Sequence, residues 1–159
     1  MDLRRYAATL AVFATGLYVA MLIAALGVLS VVLARDPIDD KDAGIFAGPI
    51  ACALAAAVVL TGLLVRALKR NVRRREVAIG TAVLLGVGAY VGYAVGGGIV
   101  VGVADPYRFL PFVVEQLIGP FSAAAGILAL IVVLLDMIVL SARMDERGRP
   151  RWPWEKSER

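Results

Sequence analysis

Four apolar runs, each of roughly 20 residues or more, leave this chain few ways to fold, because that is the length at which a helix crosses a hydrocarbon core of about 30 Å. They occupy about residues 6–34, 43–65, 77–104 and 121–142. In hydrocarbon every backbone N–H and C=O needs a protein partner, and a helix supplies one within its own segment. The expected fold is therefore all-α: a membrane-embedded four-helix transmembrane bundle over residues 1–142, followed by a short basic tail at 143–159. Composition points the same way. The chain is 60% hydrophobic over 159 residues, with a mean hydropathy of +0.81, far from an ordinary soluble domain.

Charge sets the expected orientation. Of 17 basic residues, 14 lie before the first run, between the second and third, or after the fourth; only Arg35, Lys41 and Arg108 lie on the other side. Basic residues resist translocation, so both termini and the loop "RALKRNVRRRE" are expected in the cytoplasm and the spans in the cell (plasma) membrane. The outer loops are then "RDPIDDKDAG" and "DPYRFLPFVVEQLIGP", the second suited to lying at the membrane surface. The opening "MDLRR" before an apolar run imitates a signal peptide, but the run is too long for one. The net charge of +4 is explained by topology and anionic lipid headgroups at the cytoplasmic side, so nucleic acid is not an expected partner.

Catalytic apparatus is hard to assemble from these residues. There is no His, and Cys52 stands alone within the second run, so neither a His/Cys metal site nor a His-assisted nucleophile is expected. Asp36, Asp39, Asp40 and Asp42 cluster without the turn glycine and terminal Glu of a calcium loop. "GGG" at 96–98 lies inside an apolar run and is no phosphate loop. No enzyme activity, cofactor or metal is expected.

The spans carry packing information instead. Apolar residues do not drive helices together in lipid, so small residues that permit close backbone approach mark contact faces. In "GVGAYVGYAVGGGIVVG" Gly88, Gly92 and Gly96 recur at i+4, with Gly80, Gly98 and Gly102 in the same broad arc and Thr81 near its middle. This face is expected to pack a helix, within the bundle or in a second copy; the alternative is a helix broken at Gly96 to Gly98. The same angular count groups Thr9, Gly16, Ala20, Ala24 and Gly27 on the first span, and Ser122, Ala125, Ala129 and Asp136 on the fourth. Both stripes are expected to face the bundle.

Asp136, in "LALIVVLLDMIVLSAR", is the one acid inside a span. Seven residues before Arg143, it lies on the order of 10 Å from the cytoplasmic end of its helix. Equal depth in the other spans falls near Thr9, Thr61 and Thr81, with Arg66 able to bend back, giving a candidate intramembrane polar cluster. An intramembrane acid costs about 2.5–3.5 kcal/mol on insertion scales and is a functional candidate by default. Two roles remain open: a hydrogen-bonded clamp that fixes helix register, or a proton or ligand site.

In the tail "RMDERGRPRWPWEKSER", Pro150 and Pro153 oppose helix, and Trp152 and Trp154 among basic residues suit an interfacial anchor or a protein-binding tail. The opening "MDLRRYAATLAVFATGLYVAML", the loop "DPIDDKDAG" and the tail "RPRWPWEKSER" resemble small four-span integral membrane proteins of unknown function from actinobacteria. The resemblance implies a membrane location and no particular chemistry. The function expected is that of a non-enzymatic accessory or scaffold membrane protein; the alternative is a small proton-coupled transporter or channel subunit using Asp136.

Overall fold

The fold comes from a computed structural model that describes residues 3–38, 44–68 and 79–145, with side chains described for 6–38, 44–67 and 79–140. It is all-helical in those residues: α1 (Leu3–Leu33), α2 (Ala47–Leu68), α3 (Ile79–Ala104), a 3-10 turn (Pro106–Arg108), α4 (Phe109–Ile118) and α5 (Pro120–Asp145). Four of these, α1, α2, α3 and α5, are long and apolar enough to cross a membrane, over Tyr6–Leu33, Ala47–Ala67, Ile79–Ala104 and Pro120–Leu140. The sequence runs thus correspond to helices with ends shifted by a few residues, and α4 is a fifth helix that the count of spans did not contain.

Local chemistry explains the ends. α1 stops where Ala34 takes a left-handed conformation (φ 50°), and the Arg35 N–H donates to the Ser30 carbonyl. α2 begins beyond Gly44, whose φ of 65° is open to glycine without a Cβ penalty. Pro49 falls in the first turn of α2, where its missing N–H costs nothing. After α3, Asp105 caps the 3-10 turn by accepting from the Tyr107 N–H at 3.0 Å. Gly119 is extended, as a residue before proline prefers, and Pro120 opens α5 from the first helical position.

The long helices form a four-cornered bundle in the order α1, α2, α3, α5, with α1 packed on α2 and α5, and α3 packed on α2 and α5. α2 and α5 face each other diagonally and barely touch, while α4 lies mainly on α3. The closest seams are made by glycine. A Cβ on Gly96 would stand 2.7 Å from the Ala51 Cα and 3.1 Å from the Ile50 carbonyl oxygen, so α2 and α3 meet backbone to backbone there. Gly92 and Gly88 continue that seam against Ala55 and Val58. On the other side α3 and α5 cross at Gly86 and Gly126, each opposing the other's carbonyl oxygen at 3.1 Å from an added Cβ. α3 is one continuous helix through Gly96, Gly97 and Gly98, so the broken-helix alternative does not hold.

One face is the reverse of the expectation. On α1, Thr9, Gly16, Ala20, Ala24 and Gly27 are exposed, and the bundle instead takes Ala7, Ala11, Ala14, Tyr18, Leu22 and Leu26. The reason is volume. α2 and α5 present Ala51, Ala55, Ala125 and Ala129 to the interior, and large side chains from the opposite corner must fill the space left by such slim surfaces. Tyr18 and Tyr93, both at 0% exposure, are the largest residues in that filling.

Candidate functional site

Asp136 sits on the inward face of α5 at 7% exposure, in line with Ser122, Ala125 and Ala129, all at 0%. Neighbouring Met137 and Leu140 are buried beside it, and Ala7, Ala67 and Leu140 make a small apolar cluster at this end of the bundle, with Tyr6 and Leu10 packed against it. Arg66, from the last turn of α2, is half-buried, lies within electrostatic range of Asp136, and directs a guanidinium N–H to the Met137 sulfur at 3.1 Å. Although α2 and α5 are diagonal neighbours, this side chain reaches across the bundle to the residue next to the acid.

The threonines do not gather around the acid as a set. Thr61 is exposed and its hydroxyl donates to the Ala57 carbonyl of its own helix at 2.6 Å, Thr9 is exposed on α1, and Thr81 is half-buried on α3. Equal depth placed them at one level, but helix rotation turned Thr9 and Thr61 outward. Of the packing residues, Gly88, Gly92 and Gly96 lie against α2, and a Cβ added to Gly102 would stand 3.0 Å from the Phe109 Cβ, so its partner is α4 and not a membrane-length helix. Ala125 and Ala129 are fully buried. Trp152 and Trp154 lie outside the described residues.

Midway along the bundle is a polar group that periodicity did not single out. The Tyr18 hydroxyl donates to the Ala125 carbonyl at 3.2 Å, while the buried Tyr93 hydroxyl has no hydrogen-bond partner among the described residues. Cys52 lies close to both tyrosines.

The end of the bundle remote from Asp136 carries a cleft of about 560 Å³. One wall is the chain leaving α1, with Leu33, Arg35, Asp36 and Pro37; the other is the α4–α5 corner, with Arg108, Glu115 and Gln116. Phe112 and Phe121 supply apolar lining. The walls are tied together: the Gln116 side-chain amide donates to the Pro37 carbonyl at 3.0 Å, and the Ser122 hydroxyl donates to the Gln116 carbonyl at 2.8 Å. The Tyr90 hydroxyl of α3 donates to the Leu117 carbonyl, holding the last turn of α4. The sequence reading did not anticipate this cleft: Arg35 and Arg108 entered it only as two of the three basic residues set apart from the other 14.

Among the described residues, these features define an all-helical protein built around four helices of membrane-crossing length, with one buried acid at one end and a charged cleft at the other. More particularly, the chain belongs to a family of unknown function, DUF6121, whose model matches residues 1–159. No curated protein and no solved structure matches it. Among the described residues no group of three or more His, Cys, Asp or Glu is arranged to hold a metal.

Proposed function

We propose that the protein is a non-enzymatic multi-pass membrane protein, an accessory or scaffold component of the cell membrane with both termini in the cytoplasm, akin to the small four-span proteins of actinobacteria it resembles. The observation that carries this is a filled interior. Between the cleft and Asp136, the section is occupied by Tyr18, Tyr93, Leu22, Val59, Val132 and Val133, each at 1% exposure or less. Asp136 is 16 residues beyond Pro120 along α5, about 24 Å at the usual helical rise. A buried acid so far from the cleft, with Arg66 beside it, favours a clamp joining α5 to its diagonal neighbour α2 over a relay group in a water-lined path. Exposed apolar residues such as Phe13, Val31, Leu84 and Ile127 face outward as lipid contact requires. Trp152, Trp154 and the basic tail would hold the anionic headgroups of the inner leaflet. A membrane-protein partner or a second copy would be the other body in such an assembly.

Proton-coupled transport through Asp136 is the competing function, and one experiment separates them. Wild type and Asp136→Asn are reconstituted into vesicles enclosing a pH-sensitive dye, and a proton gradient is applied. Equal, background leakage from both supports the scaffold; leakage by wild type that Asp136→Asn abolishes, with the variant still folded, establishes transport. Orientation is tested with Cys52→Ala carrying single cysteines: an impermeant thiol reagent applied outside intact cells should label Arg35→Cys and not Ser157→Cys.

A further inference from the structure

Seven charged side chains are described between residues 6 and 140: Arg35, Asp36, Arg66, Asp105, Arg108, Glu115 and Asp136. Four of them, Arg35, Asp36, Arg108 and Glu115, line the cleft between the end of α1 and the start of α5. They are two cations and two anions, one of each sign on each wall, above an apolar lining that includes Phe112 and Phe121. Phe121 is buried, so the lining continues into the body of the bundle. The bonds from Gln116 to Pro37 and from Ser122 to Gln116 fix the walls before any ligand arrives, which reduces the ordering cost of binding.

We propose that this cleft binds a zwitterion in which a phosphate and a primary ammonium stand a few ångströms apart on an apolar stem, the chemistry of an aminophospholipid headgroup. The inference rests on the membrane placement above: the spans end at Leu33 and begin at Pro120, which sets the cleft at headgroup level. Arg35 and Arg108 supply the planar donors that suit phosphate oxygens, and Asp36 and Glu115 accept from the ammonium. An exposed charge pair is worth only about 0–1 kcal/mol, so exchanging the present contacts of Arg35 and Arg108 for a ligand of matched charges costs little. The balance of signs also sets selectivity. A purely anionic headgroup meets Asp36 and Glu115 with no cation to offer, and a quaternary ammonium cannot donate the hydrogen bonds that a carboxylate accepts.

The test is native mass spectrometry of the full chain released from nanodiscs containing equal fractions of phosphatidylethanolamine, phosphatidylcholine and phosphatidylglycerol. Wild type should retain phosphatidylethanolamine about tenfold over the other two, a difference of about 1.4 kcal/mol. Arg108→Gln and Glu115→Gln, both at exposed positions and compatible with folding, should each remove most of that preference; Glu115→Gln should do so chiefly against phosphatidylcholine. Equal retention of all three lipids by wild type, or a preference that survives both variants, overturns the proposal. Soluble glycerophosphoethanolamine distinguishes the source: failure to displace the lipid supports the headgroup with its stem, and displacement at equal concentration supports the same zwitterion as a free solute. Carbonate washing of cell membranes keeps the two inferences apart. Protein that stays in the pellet but shows no lipid preference overturns the cleft proposal alone, and protein released by the wash overturns both.

Discussion

Single atoms decide much of what holds this bundle together. Gly96 and Gly16 look alike in sequence, each in a small-residue stripe, yet a Cβ on Gly96 would meet the α2 backbone at 2.7 Å and one on Gly16 meets nothing within 4 Å. Gly96→Ala should therefore destabilise by about 1–3 kcal/mol through forced separation of α2 and α3, whereas Gly16→Ala should be neutral or slightly stabilising; reversible unfolding in mixed micelles measures both. The two central tyrosines make a second contrast. Tyr18→Phe deletes the bond to the Ala125 carbonyl and should cost about 0.6–1 kcal/mol. Tyr93→Phe removes a buried hydroxyl with no partner among the described residues, and the same unfolding assay should find it neutral or more stable. No motif separates the two tyrosines, because which hydroxyl reaches a carbonyl depends on helix rotation and not on spacing.

At the scale of elements, the proposed Arg66–Asp136 clamp between α2 and α5 and the seating of α4 are the informative cases. Arg66 and Asp136 belong to helices that scarcely touch otherwise, so their coupling should appear in a double-mutant cycle. Arg66→Gln and Asp136→Asn should each destabilise, and the pair together by less than the sum, with an interaction energy of about 0.5–3 kcal/mol; additive losses would mean that the two groups act separately. α4 is held by Phe109 against Gly98 and Gly102, and by the Val113 side chain against Gly98. Filling Gly98 with Leu should detach α4 while leaving the four long helices paired, seen as accelerated amide exchange confined to residues 109–118. The apolar runs were legible as helices because length and hydropathy report on a segment alone. α4 was not, since its ten residues are too few to span a membrane and its place is set by holes in the surface of α3.

For the whole molecule, the sequence determined that there would be four long apolar helices, because a helix satisfies its backbone within its own segment, independently of its neighbours. It also determined that Asp136 would share a face with Ser122, Ala125 and Ala129, since 100° per residue is a property of the helix itself. Tertiary structure alone decided which stripe faced which neighbour. On α3 the glycine seam went inward against α2; on α1 the small-residue face went outward, and Tyr18, Leu22 and Leu26 went in. The periodic pattern is the same in both, but a packed interior must be filled to constant density, and whether a given corner needs a small residue or a large one depends on what the other three helices bring to it. The cleft of Arg35, Asp36, Arg108 and Glu115 was settled in the same way, as residues more than 70 positions apart became the walls of one cavity when α1 ended beside the start of α5.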